Sequence, residues 1–136
     1  MKTLILYYSY SGNTKKIANE LAAKESAEIA EIKDRNRPGK LKAYVAGSFA
    51  AMRGKAWPIQ PLSVKMADFD RLILLAPIWA NNPAPAFYSV MEQLPEGKTI
   101  ILKMVSASGK SNCKERLEAM AKARGCTVEG FEDLKG

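Results

Sequence analysis

The sequence predicts an α/β protein in which helices cover both faces of a mainly parallel sheet. Long apolar runs recur along the chain and end in polar or turn-forming residues, which is typical of parallel strands buried on both faces. Between these runs, apolar residues repeat at helical spacing. The 136 residues are enough for one domain with a real core and too few for two, so we expect a single domain over residues 1–136.

Four elements are predicted in the first half of the chain. A buried strand over Thr3 to Ser9 leads into a helix from Asn13 to Lys24. Ser26 to Ile32 alternates in polarity, as expected of a half-covered strand, and a Pro-Gly loop follows it. A second helix is predicted from Leu41 to Arg53. This helix carries three large apolar residues on one side: Val45, Phe49 and Met52.

The second half of the chain continues the alternation of strands and helices. Arg71 to Ala76 is the clearest buried strand, and the prolines and asparagines after it are expected to break it sharply. A helix is predicted from Pro83, which suits a first helical turn, to Leu94. A strand over Thr99 to Ala107, a helix over Ser111 to Arg124 and a strand over Cys126 to Phe131 complete the prediction.

The composition excludes several kinds of chemistry. The chain has no histidine, which removes histidine-activated nucleophiles and the commonest zinc ligand, so we expect no catalytic side chain and no metal site. Of the two cysteines, Cys113 lies near a helix start but is expected to be a buried, inert thiol. Redox or group-transfer chemistry would therefore need a bound cofactor. No apolar run reaches membrane-spanning length and no signal-peptide pattern is present, so we expect a cytoplasmic protein without a membrane partner.

The net charge of +7 is concentrated in one connection. Residues 33–65 contain eight basic residues and one acid, whereas the rest of the chain has thirteen of each sign. The segment can be interpreted as a solvated face, as a surface for an acidic redox partner, or as a site for the phosphates of NADPH. Nucleic acid fits poorly, because the basic residues accompany no stacking platform or groove-entering motif.

Three loops are predicted at the carboxyl ends of the strands, where open α/β sheets bind ligands: residues 9–14, 77–82 and 106–112. The first loop opens a helix, so free amides and the positive end of the helix dipole meet there. Its short polar side chains and its glycine predict a phosphate site made of Ser9, Tyr10, Ser11, Gly12, Asn13 and Thr14. The alternative is an ordinary capped helix. We expect the three loops to converge.

The first loop and its flanking elements resemble the phosphate-binding signature of flavodoxins and flavodoxin-like proteins. The matching positions are Ile5, Leu6, Tyr7, Ser9, Gly12, Thr14, Ala18 and Leu21. The order of strands and helices also resembles that family over nearly the whole chain. The resemblance implies a doubly wound, five-stranded parallel sheet in the order 2-1-3-4-5, three αβα layers, and FMN in a cleft at the switch point. The family's final helix is missing, since only five residues follow Phe131.

The resemblance also implies that the other two loops hold the flavin ring. Trp79 would stack on one side of the ring, within a loop made of Pro77, Ile78, Trp79, Ala80, Asn81 and Asn82. Flavodoxins have a glycine in this loop that eases a peptide rearrangement, and this chain has none there. The third loop would present hydroxyls and amides to the ring edge from Ser106, Ala107, Ser108, Gly109 and Asn112. It lacks the family's stacking tyrosine, so one ring face is expected to stay open.

Three functions remain open from the sequence. The first is a small FMN-binding electron carrier with a redox partner protein. The second is an FMN-dependent reductase that takes hydride from NAD(P)H and passes electrons to a quinone or a similar small-molecule acceptor. The third is a flavodoxin-like sensor or interaction module that binds FMN weakly. Because the final helix is missing, part of an apolar sheet face should lack cover, and we expect a homodimer through that face.

Overall fold

The structure, a computed structural model, describes all 136 residues. The strands are β1 Thr3–Tyr8, β2 Glu28–Ile32, β3 Arg71–Trp79, β4 Asn82–Pro83, β5 Thr99–Ser106 and β6 Thr127–Lys135. The helices are α1 Asn13–Glu25, α2 over residues 40–53, α3 Pro85–Met91 and α4 Lys114–Ala123. Helix α2 is continuous and contains one π-helical stretch, Ala43–Gly47. None of the helices combines the length and the apolar character that a membrane span requires.

Five long strands form one parallel sheet in the order β2-β1-β3-β5-β6, and the short strand β4 pairs antiparallel with β3. The predicted order is therefore confirmed, with β5 and β6 as the fourth and fifth long strands. The chain moves outward in one direction from β1 to β2 and in the other from β3 to β6. The loops after β1 and β3 consequently face each other across the switch point, which is where such sheets bind ligands.

Side chains alternate between the two faces of the sheet and form two hydrophobic cores of unequal size, one on each face. The larger core packs α3 and α4 against the sheet and includes Leu4, Leu6, Leu72, Leu74, Phe87 and Leu117. The smaller core lies under α1 alone and consists of Ile5, Tyr7, Ala18, Ile73 and Leu75. Helices thus cover both faces in three αβα layers, as predicted, and right-handed crossovers account for α1 standing alone on its face.

Strand β3 does not break after Ala76, as the sequence suggested, but continues to Trp79. Ala80 and Asn81 have φ of 51° and 66°, the geometry of a two-residue hairpin turn, and the chain returns as β4. The second loop is therefore a β-hairpin. Because β4 takes up Pro83, the helix after it begins at Pro85, two residues later than predicted.

Helix α2 turns its large apolar residues toward solvent, whereas an apolar stripe on a helix usually faces a core. Val45, Phe49 and Met52 are about half exposed, and the buried positions are small: Ala43, Gly47, Ala50 and Ala51. Contact with Trp79 explains this orientation, since a Cβ on Gly47 would lie only 2.7 Å from Cζ3 of the indole ring. The helix approaches the hairpin so closely that only its smallest residues fit between them.

Strand β6 is longer than predicted and pairs with β5 as far as Lys135 rather than ending at Phe131. The sheet face beside α1 is also more polar than the sequence suggested. Three ion pairs cross it: Lys103 with Glu132 at 2.7 Å, and Arg71 with Glu25 at 3.7 Å and with Glu129 at 3.8 Å. These charges reduce the apolar area on which the predicted homodimer depended.

Candidate functional site

The three predicted loops meet at the carboxyl edge of the sheet. The ring of Tyr10, in the first loop, contacts the ring of Trp79 edge-on, with 5.7 Å between their centroids. The third loop joins the hairpin through a hydrogen bond from the amide of Asn112 to the carbonyl of Asn81, at 2.9 Å. The second loop therefore contacts both of the others, through residues that are 69 and 31 positions apart in the sequence.

Residues 9–14, which we call the anion cradle, lead into the first turn of α1, whose backbone amides no group of the protein satisfies. The Gly12 amide donates to Ser9 Oγ at 3.1 Å. Helix α1 has no side-chain cap, and its first three amides have no acceptor within the protein: those of Asn13, Thr14 and Lys15. Unpaired amides at the positive end of a helix dipole favour an anion. The alternative prediction, an ordinary helix capped by a side chain, is wrong, because no side chain caps the start of α1.

Thr14 and Gly12 shape the anion cradle. Thr14 is only 2% exposed and its hydroxyl makes no hydrogen bond, yet the protein contains no fully buried polar side-chain atom without a partner. The exposed part of Thr14 must therefore include its oxygen. Gly12 has a φ of +105°, which other residues adopt only with strain, and a Cβ there would meet no atom within 4 Å. The cradle is open to solvent and its backbone shape depends on glycine.

An aromatic pocket of about 350 Å³ adjoins the anion cradle. Tyr10 belongs to the cradle and also lines this pocket, together with Trp79 and Ala80 of the hairpin. The remaining lining comes from α2: Lys40, Ala43, Tyr44 and Ser48. Its volume is within the range of roughly 300–1,000 Å³ that is typical of small-molecule sites. Trp79 thus stands beside an open pocket, in the place where a stacking wall was predicted.

The contribution of α2 to this pocket was missed by sequence reasoning. Lys40, Tyr44 and Ser48 lie in a helix that sequence spacing assigned to packing, and their position depends on the contact between Gly47 and Trp79. The sequence signal that could have revealed this contact is Gly47, because a glycine in the middle of a helix often marks a close approach by another group. Helix α2 therefore supplies an aromatic side chain, Tyr44, to the pocket, whereas the third loop supplies no tyrosine.

The third loop folds around the side chain of Ser106. Its Oγ accepts hydrogen bonds from the amides of Gly109, at 3.0 Å, and Lys110, at 3.1 Å. The amides of Ala107 and Ser108 have no partner in the protein. Of the amides predicted to face a ligand, these two are free, whereas that of Gly109 is engaged within the loop.

A buried carboxyl group contacts the end of β1, directly before the anion cradle. Asp34, just after β2, accepts a hydrogen bond from the hydroxyl of Tyr8 at 2.5 Å. Burial raises the pKa of the Asp34 carboxyl, while the Tyr8 hydrogen bond and the Arg37 charge act in the opposite direction. Burial and the bond to Asp34 raise the pKa of the Tyr8 phenol far above its ordinary value. Arg37 donates a hydrogen bond to the carbonyl of Tyr10 at 3.0 Å, and its guanidinium carbon lies 4.2 Å from the centroid of the Tyr10 ring. These two contacts orient Tyr10.

Arg116, on α4, connects three elements around the hairpin and was not singled out from the sequence. Its Nη1 donates to Asn82 Oδ1 at 3.2 Å, to the carbonyl of Ala51 at 3.3 Å and to the hydroxyl of Tyr88 at 3.2 Å. One guanidinium therefore ties the hairpin to α2 and α3. No sequence signal identifies it, because all three partners are far away along the chain.

Helix α4 begins at Lys114 rather than at Ser111. The hydroxyl of Ser111 donates to Asp133 Oδ1 at 2.6 Å, which keeps this stretch in the loop. Cys113, directly before the helix, is fully buried, and burial raises the pKa of its thiol. This confirms the predicted buried thiol, and the direction of its pKa shift is opposite to that of a reactive thiol.

Comparison with solved structures supports the same architecture. A flavoprotein of Lactobacillus acidophilus NCFM, solved in complex with FMN, is 25% identical in sequence, with a TM-score of 0.77 over 96% of this chain and 91% of that one. The chain has the flavodoxin-like fold. Flavodoxin 1 of Bacillus cereus is 22% identical, with a TM-score of 0.57 over 100% of this flavodoxin-like chain and 86% of its own. A flavodoxin from the domain Archaea is 16% identical, with a TM-score of 0.60 over 99% and 85% of the two chains.

No protein-family model matches the flavodoxin-like chain, and no curated protein sequence matches it significantly. The fold is therefore recognised through three-dimensional similarity and through the short signature in the first loop. The resemblance identified from that signature is confirmed by the solved flavodoxins and flavoproteins of the same fold.

Proposed function

We propose that this flavodoxin-like protein binds FMN and transfers electrons. The observation that carries the proposal is the double position of Tyr10, which belongs to the anion cradle and also lines the aromatic pocket. A ligand that has a phosphate at one end and a flat ring system at the other would reach both sites at once. FMN has this form, and the Lactobacillus acidophilus protein of the same fold was solved with FMN bound.

The residues present fit such a ligand. The unpaired amides of Asn13, Thr14 and Lys15 are donors for a phosphate, and the hydroxyl of Thr14 is an additional one. Trp79 offers a large aromatic surface to the ring and excludes water from it. The free amides of Ala107 and Ser108 are donors for polar atoms at the ring edge.

FMN, when bound, supplies one- and two-electron transfer. The chain's own residues bind and orient it, and no side chain is needed as a general acid or base. This agrees with the absence of histidine from the whole sequence. The hairpin is fastened to α2 and α3 by Arg116, so Trp79 is held on a supported element rather than on a free loop.

An FMN-dependent NAD(P)H reductase is the second candidate function. It is favoured by the openness of the aromatic pocket, since Tyr44 is 79% exposed and Ala80 is exposed as well. A nicotinamide ring could enter from this side, and Lys40 at the pocket rim is a partner for a phosphate of the nucleotide. In the electron-carrier function, this same opening would be covered by a partner protein.

A titration with two flavins tests the binding site directly. We expect FMN to bind about 100-fold more tightly than riboflavin, which lacks the phosphate, because two or three charge-assisted hydrogen bonds would be lost. Quenching of flavin fluorescence measures both affinities. Equal affinities would contradict the role of the anion cradle. No binding of FMN would favour the third possibility, a sensor or interaction module.

Anaerobic reduction separates the electron carrier from the reductase. The FMN-loaded protein is mixed with NADPH, with NADH and then with dithionite, while the flavin absorbance is followed. The electron carrier should be reduced rapidly by dithionite alone. Rapid bleaching by a nicotinamide would instead support the reductase, and quinone-dependent NAD(P)H consumption under steady-state conditions would then confirm it.

A further inference from the structure

Helix α2 gathers nearly all of the exposed large apolar side chains of the molecule on one side. Apart from Met1, every such residue lies within this helix: Leu41, Tyr44, Val45, Phe49 and Met52, with exposed fractions between 46% and 79%. We call this set the apolar stripe. Its members recur three or four residues apart along the helix, so they form one continuous surface. Contiguous apolar surface on a protein usually marks a binding site.

The exposure of the apolar stripe is fixed by packing on the opposite side of α2. That side contacts the indole of Trp79 through Gly47, and the carbonyl of Ala51 accepts hydrogen bonds from Tyr88 and Arg116. The helix cannot rotate to bury the stripe, because a larger residue would then have to replace Gly47 against the indole. The stripe is consequently a permanent feature of the surface.

The segment of the chain that contains the apolar stripe is strongly basic. No acidic residue occurs from residue 35 to residue 67, whereas this stretch contains seven basic ones: Arg35, Arg37, Lys40, Lys42, Arg53, Lys55 and Lys65. Lys42 lies over the ring of Trp57 and Arg53 over the ring of Phe49, both beside the stripe. A surface with this charge favours an anionic partner and disfavours a second copy of itself.

The shape of the surface around the apolar stripe favours a protein as the partner. A depression of about 460 Å³ opens beside α2, lined by Val45, Phe49 and Trp57 and bordered by Arg53 and Lys55. A cavity of this size can receive an inserted side chain, and anchors in such pockets supply most of the binding energy of protein interfaces.

The apolar stripe also continues into the candidate cofactor site. Tyr44 is a member of the stripe and lines the aromatic pocket beside Trp79. A partner seated on the stripe would therefore lie next to a flavin ring held in that pocket. This adjacency connects the docking surface with the electron transfer proposed above.

We propose that the apolar stripe and its basic border dock an acidic redox protein, which inserts an apolar side chain into the depression and surrounds it with carboxylates. The inference rests on the proposed binding of FMN. In the docked complex one electron passes between the partner's redox centre and the flavin, so one is oxidised as the other is reduced. Docking on the stripe places the two centres close together.

An acidic [2Fe–2S] ferredoxin serves as the probe. Ferredoxin is reduced with dithionite, freed of excess dithionite by desalting and mixed anaerobically with the oxidised, FMN-loaded protein, and the rate of flavin bleaching is measured at several salt concentrations. The rate should fall steeply as salt rises, because salt screens the attraction between opposite charges. The double variant Lys42→Glu, Lys55→Glu should slow the reaction about tenfold or more at low salt. Phe49→Ser should slow it about tenfold at every salt concentration, since it removes the lining of the depression.

The matched control is the double variant Lys24→Glu, Lys122→Glu, which makes the same charge change at exposed positions of α1 and α4. At about 0.15 M salt it should retain at least about half of the wild-type rate, because charges far from the docking face are screened beyond a Debye length of roughly 8 Å. FMN affinity is measured for each variant and should be unchanged. Failure of the wild type to bind FMN would refute the proposed function itself, whereas normal FMN binding with unchanged rates in the variants would refute the docking surface alone.

Two further measurements cover the other possible occupants of the apolar stripe. Co-sedimentation with phosphatidylglycerol vesicles that is lost in Phe49→Ser, with unchanged ferredoxin rates, would show a lipid-binding face and overturn the proposal. A dimer in light scattering that dissociates in Phe49→Ser would show a second copy on the stripe and would overturn it as well. The expected result is that no dimer depends on Phe49, that the protein does not sediment with vesicles, and that the variants slow the ferredoxin reaction.

Discussion

At the scale of single residues, Gly12 determines whether the anion cradle keeps its shape. Its φ of +105° costs other residues of order 1–3 kcal/mol. Gly12→Ala should lower the free energy of unfolding by about this amount and weaken FMN binding, because the loop would shift and redirect its amides. Urea denaturation and the FMN titration measure the two effects. The matched control is Gly39→Ala, where φ is −68° and a Cβ would meet no atom within 4 Å, so both quantities should be nearly unchanged.

Asp34 should make stability depend on pH. Burial raises the pKa of its carboxyl in the folded state, so the folded protein holds the proton more strongly than the unfolded chain does. The resulting stabilisation is complete below the unfolded pKa, about 3.9, and is lost as pH rises through the raised folded value. Relative to Asp34→Asn, the wild type should therefore lose free energy of unfolding as pH increases above about 4. Denaturation series of both proteins from pH 3 to 7 measure this, and a constant difference between them would contradict the prediction.

At the scale of secondary-structure elements, the contact of α2 with the hairpin sets the width of the aromatic pocket. A Cβ at Gly47 would lie 2.7 Å and 2.9 Å from two carbons of the Trp79 ring. Gly47→Ala should therefore force the helix and the indole apart, which costs roughly 1–3 kcal/mol of stability. It should also alter the tryptophan fluorescence and weaken FMN binding. Ala46→Ser, an equally small change at the neighbouring exposed position, should leave stability within about 0.5 kcal/mol of the wild type.

The hairpin depends on Arg116 for its attachment to α2 and α3. Arg116→Met retains much of the apolar stem but removes hydrogen bonds to Asn82, Ala51 and Tyr88. We expect faster hydrogen exchange in the hairpin and about tenfold weaker FMN binding, since Trp79 would be held less firmly. Arg124→Met is the matched control, because that arginine bonds only the carbonyl of Leu94, away from the site. Equal exchange rates in the wild type and in Arg116→Met would contradict the positioning role.

At the scale of the whole molecule, the predicted homodimer depends on the sheet face beside α1. That face holds apolar residues such as Ile101 and Leu134, but the ion pair of Lys103 and Glu132 lies between them. Burying this pair in an interface would cost desolvation energy and offset part of the apolar gain. We therefore expect any dimer through this face to dissociate on dilution. Light scattering over a concentration series measures this, and Leu134→Glu should abolish such a dimer. A dimer that persists in Leu134→Glu would locate the interface elsewhere.

The order of the elements could be predicted from the sequence because it depends on local patterns. Continuous apolar runs mark the central strands, and helical spacing marks α1 and α4 between them. The first loop was equally readable, since its polar residues and glycine lie within six consecutive positions. These signals need no knowledge of distant contacts, so the order of the elements and the place of the first loop at the start of a helix followed from them.

The details that complete the candidate site were decided only by tertiary structure. The orientation of α2 depends on Gly47 meeting Trp79, and the hairpin depends on Arg116, whose partners lie 28 to 65 residues away. The exposure of the apolar stripe follows from the same packing, against the usual rule that a helix buries its apolar side. Sequence periodicity reports which residues share a face of an element, and only the packing of elements against one another determines which face is buried.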